Sequence, residues 1–165
     1  MKKLIIIALM FAPMTMLAQK FGHFNSQQLM QEMPEVKAVQ TELQNMENQY
    51  KKELETMQTE LQNKYTAYQS QKDSLPQGVQ QRRIQEIQDL DQRLQQTTQT
   101  YREDLDKQNT EKMQPIVQKV MNAIKEIGEA GGYVYIMDTT AGVPYISTTL
   151  STDVTAELKA KLGIK

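Results

Sequence analysis

The chain has 165 residues, 19 Lys and Arg against 20 Asp and Glu, no cysteine and no tryptophan, and a formal net charge of −1. This balance gives no electrostatic reason to expect nucleic acid as a partner. The lack of cysteine removes disulfide staples, a lipidated cleavage site, thiol nucleophiles and Cys-based metal sets.

Lys2 and Lys3, the apolar run Leu4 to Leu17 and the small Ala18 read as a secretory signal over residues 1–18. The run contains Pro13 and falls short of the roughly 20 apolar residues of a membrane anchor. Cleavage after Ala18 would leave an exported, soluble protein, with the net charge moved to −3 by loss of Lys2 and Lys3.

Phe21 to Phe24 is a short apolar strand, and Asn25 with Gln28 is suited to cap the helix that follows. From Pro34 to Asp73, apolar residues recur at Val36, Val39, Leu43, Met46, Tyr50, Leu54, Met57, Leu61, Tyr65 and Tyr68. Steps of three and four draw one narrow stripe, the signature of a seam against a single partner helix. A helix-breaking cluster, Asp73-Ser74-Leu75-Pro76-Gln77-Gly78, comes next. Beyond it a second stripe runs through Ile84, Ile87, Leu90 or Asp91, Leu94, Thr98, Tyr101, Leu105 and Gln108, then Ile116, Val120, Ile124 and Ile127.

So short a break predicts an antiparallel hairpin whose facing residue numbers total roughly 151. Tyr50 then meets Tyr101, Met57 meets Leu94 and Leu61 meets Leu90. Pro34 and Pro115 fall at nearly one height and mark an arm–body hinge, because Pro115 lacks an N–H and crowds the carbonyl of Glu111.

Gly131-Gly132 stops the second long helix, and Tyr133 to Met137 is a β-type run that is apolar on both faces. A turn at Thr139 to Gly142, a strand from Val143 to Thr149 with Pro144, and a helix from Ser151 to Leu162 complete the chain. A strand apolar on two sides needs a second layer, and no segment is evident to supply it. Phe21, Phe24, Tyr133, Val134, Tyr135 and Ile136 are therefore expected to drive self-association.

The fold class is α+β: a long antiparallel coiled-coil hairpin projecting from a small β-strand oligomerisation body. The expected divisions are signal 1–18, body 19–33, hairpin arms 34–115 with a tip near 73–78, and body again 116–165.

Residues suited to catalysis are few. His23 is the one histidine and sits beside two phenylalanines, as a packing or hydrogen-bonded residue does. Asp138 and Asp153 read as a turn opener and a first-turn helix residue, in preference to an acid pair. No glycine loop opens a helix to cradle phosphate. No enzyme activity, metal or cofactor is expected. Lys64, Lys72, Arg82 and Arg83 form a basic group near the tip, suited to peripheral contact with anionic lipid or acidic client segments. Met30, Met33, Met46, Met57 and Met113, with Tyr50, Tyr65, Tyr68 and Tyr101, are adaptable side chains that serve either a seam or promiscuous contact.

The order of these parts resembles the Skp/OmpH family across the chain after residue 18. The matching pieces are Phe21-Gly22-His23-Phe24-Asn25-Ser26-Gln27-Gln28-Leu29-Met30, then Glu32-Met33-Pro34-Glu35, the hairpin, the strand Tyr133 to Asp138, and Asp153-Val154-Thr155-Ala156-Glu157-Leu158. The resemblance implies a periplasmic homotrimer whose helical arms enclose a cavity, holding unfolded outer-membrane proteins without ATP. Family members are often basic, whereas this chain is slightly acidic. A structural or adaptor coiled coil of the cell envelope, docking through its hairpin tip, is the alternative.

Overall fold

The computed structural model describes residues 19–164, so the expected leader lies outside the described residues. In chain order come strand β1 (Lys20–Phe24), helix α1 (Ser26–Glu32), helix α2 (Pro34–Gln71), a 3₁₀ turn (Lys72–Ser74), helix α3 (Gln77–Gly131), strand β2 (Tyr133–Asp138), a second 3₁₀ turn (Thr139–Ala141), strand β3 (Ser151–Asp153) and helix α4 (Thr155–Leu162). The described residues divide into two compact units, one of Gln31–Lys119 and one joining residues 19–30 with residues 120–164.

The first unit is the hairpin. Pro34 stands at the start of α2, where its missing N–H costs nothing, after Met33 in an extended conformation. At the tip, Leu75 takes the extended backbone that a following proline demands (φ −90°, ψ 140°). The Gln80 amide donates to the carbonyls of Lys72 (2.8 Å) and Leu75 (2.9 Å) and ties the turn to α3. The arms run antiparallel: Tyr50 stacks on Tyr101 with centroids 4.0 Å apart, and Lys112 and Lys119 reach Glu42 and Glu35 across the seam.

Along this seam Leu43, Met46, Tyr50, Leu54, Met57 and Leu61 are only half-buried, as are Leu90, Leu94, Tyr101 and Leu105. A two-helix ribbon has no third layer to cover its flanks. Met33, Val36 and Ile116 are the buried apolar side chains of this unit among the described residues. Two expectations need correction. Ile84 is turned outward at 39% exposed, and the seam runs through Ile87, Arg83 and Gln80, the neighbouring four-then-three steps on the same helix. Pro115, expected to disturb its helix, lies inside α3, which stays helical on both sides of it.

The second unit holds a three-stranded parallel sheet in the order β2-β1-β3. The Asn25 side chain accepts from the Gln28 N–H at 2.8 Å, opening α1 as its sequence predicts. Gly132, at φ +66°, ends α3 in the left-handed conformation, and the Lys20 ammonium caps the carbonyl of Gly131 at 3.1 Å. Among the described residues, Phe24, Leu29, Val120, Ala123, Ile127, Val154, Leu158, Leu162 and Ile164 are the buried apolar side chains of this unit. Ala123 takes the place expected for Ile124, which is only half-buried.

The strand expected at Val143 to Thr149 is a correction. Strand β3 forms later, at Ser151–Asp153, and α4 starts at Thr155. Pro144 has no N–H to give a ladder, and the Ser147 hydroxyl accepts from the Leu150 N–H at 3.2 Å, folding the segment into a turn.

Candidate functional site

Pairing in the sheet slips by one residue at its start. Lys20 faces Tyr133, but Phe21 faces Tyr135, which leaves Val134 as the extra residue of a β-bulge. The bulge resets the alternation of β2, so Tyr133 and Ile136, three residues apart, lie on one face with Gly22. A Cβ on Gly22 would meet Ile136 at 3.0 Å and Tyr133 at 3.2 Å. Tyr133 also covers Gly131, where a Cβ would come within 2.4 Å of its ring.

The opposite face carries Phe21, His23, Tyr135 and Met137. Phe21 and Tyr135 stack at 4.8 Å. Val143, Tyr145, Ile146 and Leu150 from the segment before β3 lie over this face and enclose with it a cleft of about 300 Å³. This segment supplies part of the second layer that no segment was expected to supply. The cover is incomplete: Tyr135 is 49% exposed, Tyr145 79% and Leu150 75%.

The six residues expected to drive association thus divide. Phe24 is buried within its own unit, and Tyr133 and Ile136 pack over glycines, while Phe21, Val134 and Tyr135 lie at or beside the open face. Sequence reasoning missed Met137, Tyr145 and Leu150. Met137 was legible as the alternate of Tyr135, but isolated apolar residues in a polar loop carry no periodic signal.

His23 Nδ1 and the Ser151 hydroxyl are 2.8 Å apart, which fastens the three-residue β3 to β1. Asp138 takes three jobs at once: it accepts from the backbone N–H of Ser26 (3.1 Å) and of Thr140 (3.0 Å) and from the Thr140 hydroxyl (2.8 Å). Burial pushes its carboxyl up, but these hydrogen bonds outweigh burial and hold it below the ordinary aspartate value. Asp153 is balanced in the same way: burial raises it, while hydrogen bonding with Thr155 and the charges of His23 and Lys159 lower it further. The register places Asp138 on the Gly22 and Phe24 face and Asp153 on the Phe21 and His23 face. Two carboxylates on opposite faces of a sheet cannot share one substrate.

In the hairpin unit, Lys72 lies in the tip turn, Arg82 is exposed on α3, and Arg83 is half-buried in the seam. Lys64 turns back along its own arm toward Glu60, 4.0 Å away. Of the adaptable side chains, Met33 is fully buried, Tyr50 and Tyr101 stack on each other, and Tyr65 remains 49% exposed. Glu35 is held below the ordinary glutamate value, chiefly by its hydrogen bond with Lys119. Among the described residues no acidic, histidine or cysteine cluster fits a metal ion, and no helix is long and apolar enough to cross a membrane.

No curated protein matches the chain. The crystal structure of a Caulobacter crescentus protein named as an OmpH-like outer membrane chaperone superposes with a TM-score of 0.75 at 19% identity, covering 87% of this chain and 83% of that one. At that identity the likeness speaks for the fold. The family model described as outer membrane protein (OmpH-like) matches residues 20–162, nearly all of the described chain, and with the hairpin and parallel sheet above it establishes that this protein belongs to the OmpH-like family.

Proposed function

We propose that the protein is a periplasmic holdase chaperone that binds unfolded outer-membrane proteins without ATP and keeps them from aggregating, with no catalytic step of its own. The observation that carries this reading is the pairing of a long, half-buried hairpin with a small sheet that has two unpaired edges and an exposed aromatic face. An exposed apolar patch of this kind marks an association surface. Three bodies joined through Phe21, Val134 and Tyr135, together with Met137, Tyr145 and Leu150, would form a homotrimer. Its arms would then line a common space, bending near Pro34 and Pro115, where the body divisions 19–33 and 116–165 meet arms 34–115. The name of the Caulobacter crescentus relative points the same way. Exposed Arg82 and Lys72 at the tip suit a peripheral contact with anionic lipid.

The test is dilution of a urea-unfolded β-barrel protein into buffer with the purified protein and no nucleotide. Stoichiometric amounts are expected to suppress light scattering from aggregates. Unchanged aggregation at equal molar amounts would sink the proposal.

A further inference from the structure

Midway along the hairpin, the rings of Tyr50 and Tyr101 lie face to face, 4.0 Å between centroids and 9° from parallel. The Tyr50 hydroxyl donates to Asp104 at 2.5 Å, and Glu53 is the carboxylate that acts most strongly on the Tyr101 hydroxyl. Each hydroxyl thus has, across the seam, a carboxylate three residues beyond the other tyrosine. Because the arms are antiparallel, the two tyrosine–acid pairs are reciprocal, with Tyr-x-x-acid contributed by both helices.

The seam between this site and the tip is of another kind. Leu54, Met57 and Leu61 on one arm and Leu94, Leu90 and Ile87 on the other are all half-buried. Leu and Met repeated every three or four residues can slide by a helical turn and still lay apolar groups on apolar groups. A stacked pair with a directional bond across the seam cannot, which is how a single polar position specifies register in coiled coils. Hydrogen bonds to ionised acceptors are also stronger than neutral ones.

We propose that Tyr50, Glu53, Tyr101 and Asp104 form a register clasp that fixes the alignment of the two arms and makes the middle of the hairpin its last part to open. The clasp does not depend on which client, if any, the arms meet.

Amide hydrogen exchange of the intact protein tests it, using Tyr50→Phe/Tyr101→Phe, which keeps both rings and removes both hydroxyls. In the parent protein, peptides around residues 46–57 and 97–108 are expected to exchange slowest within the arms. The double variant should speed these peptides by on the order of tenfold and leave those near the tip within about twofold. Acceleration spread evenly along both arms, or none at the centre, overturns the proposal. If the double variant loses its helical circular dichroism, Asp104→Asn takes its place, and the same localised acceleration is required. Register is read separately by disulfide trapping, since the chain has no cysteine of its own. Met57→Cys with Leu94→Cys should crosslink in the parent background, and Leu61→Cys with Leu94→Cys, one turn out of register, should crosslink only when both hydroxyls are gone. Absence of the slipped crosslink in that background also overturns the clasp.

Discussion

Gly131 shows how one missing methyl group can matter more than helix propensity. A Cβ there would lie 2.4 Å from the Tyr133 ring, so the ring must leave its place over the helix end. Alanine in a helix gains up to about 1 kcal/mol over glycine, while overpacking of this kind costs about 1–3 kcal/mol. Gly131→Ala is therefore expected to lower the thermal midpoint, and a raised midpoint would show that Tyr133 moves freely. The aspartates set the acid limit of the sheet unit. Asp138 and Asp153 are both held below their ordinary values, so their contribution is complete above the unfolded aspartate pKa and fades as pH falls through the lower folded values. Asp138→Asn should flatten the loss of stability below about pH 4. A denaturation series at several pH values checks this, and an unchanged slope would contradict it. Residue roles of this sort were partly legible: Asn25 as a cap and Asp138 as a turn opener follow from their side-chain chemistry alone. The Ser26 N–H on Asp138 was not legible, because it joins positions 112 residues apart.

The helices and strands differ in how much of them the sequence carried. The stripes gave α2, α3 and their register because a helix writes its buried face every three or four residues. They failed near the tip, where Ile84 and Arg83 compete for one seam position and a ribbon this thin barely distinguishes them. Strand β3 was misplaced because three residues cannot display a period. Pro115 lies within an unbroken α3, leaving the Glu111 carbonyl without its N–H donor. Pro115→Ala is expected to stabilise α3 by as much as about 3 kcal/mol, read as a rise in the denaturation midpoint. If the level of Pro115 works as a hinge, the same change should also weaken suppression of client aggregation. At the clasp, Tyr101 is raised to about 12, first by its hydrogen bond to Glu53, and Tyr50 is raised by its bond to Asp104. Tyrosines whose pKa rises on folding stabilise the fold below the ordinary value of 10 and lose that contribution as pH climbs through the folded value. Near-ultraviolet titration should show tyrosinate from these two forming above pH 10, together with loss of helical signal.

At the scale of the molecule, the family and the fold are established, and assembly is the open chemical question. The open face of the sheet exposes Tyr135, Tyr145 and Leu150 together, and solitary protomers rarely leave such a patch to water. If the proposed trimer closes through this face, Tyr145→Ser/Leu150→Ser should shift the mass seen by light scattering toward monomer while the helical circular dichroism persists. A variant that stays trimeric would move the interface elsewhere on the body. Sequence could point to self-association through the doubly apolar β2. It could not choose the face, since the assignment of Tyr133 and Ile136 depends on where the bulge falls.

The extra residue at Val134 also decides which side each residue of β2 takes. Tyr133 and Ile136 are three residues apart, so a β2 that paired with Val134 inside the ladder would put them on opposite sides and send one of them into the cleft. Deleting Val134 leaves them two apart, on one side by plain alternation, and should spare the interior of the subunit. The bulge is thus a phase marker, and families of related chains should vary freely at this position, in side chain and in its presence, while keeping the spacing from Tyr135 to Asp138 fixed.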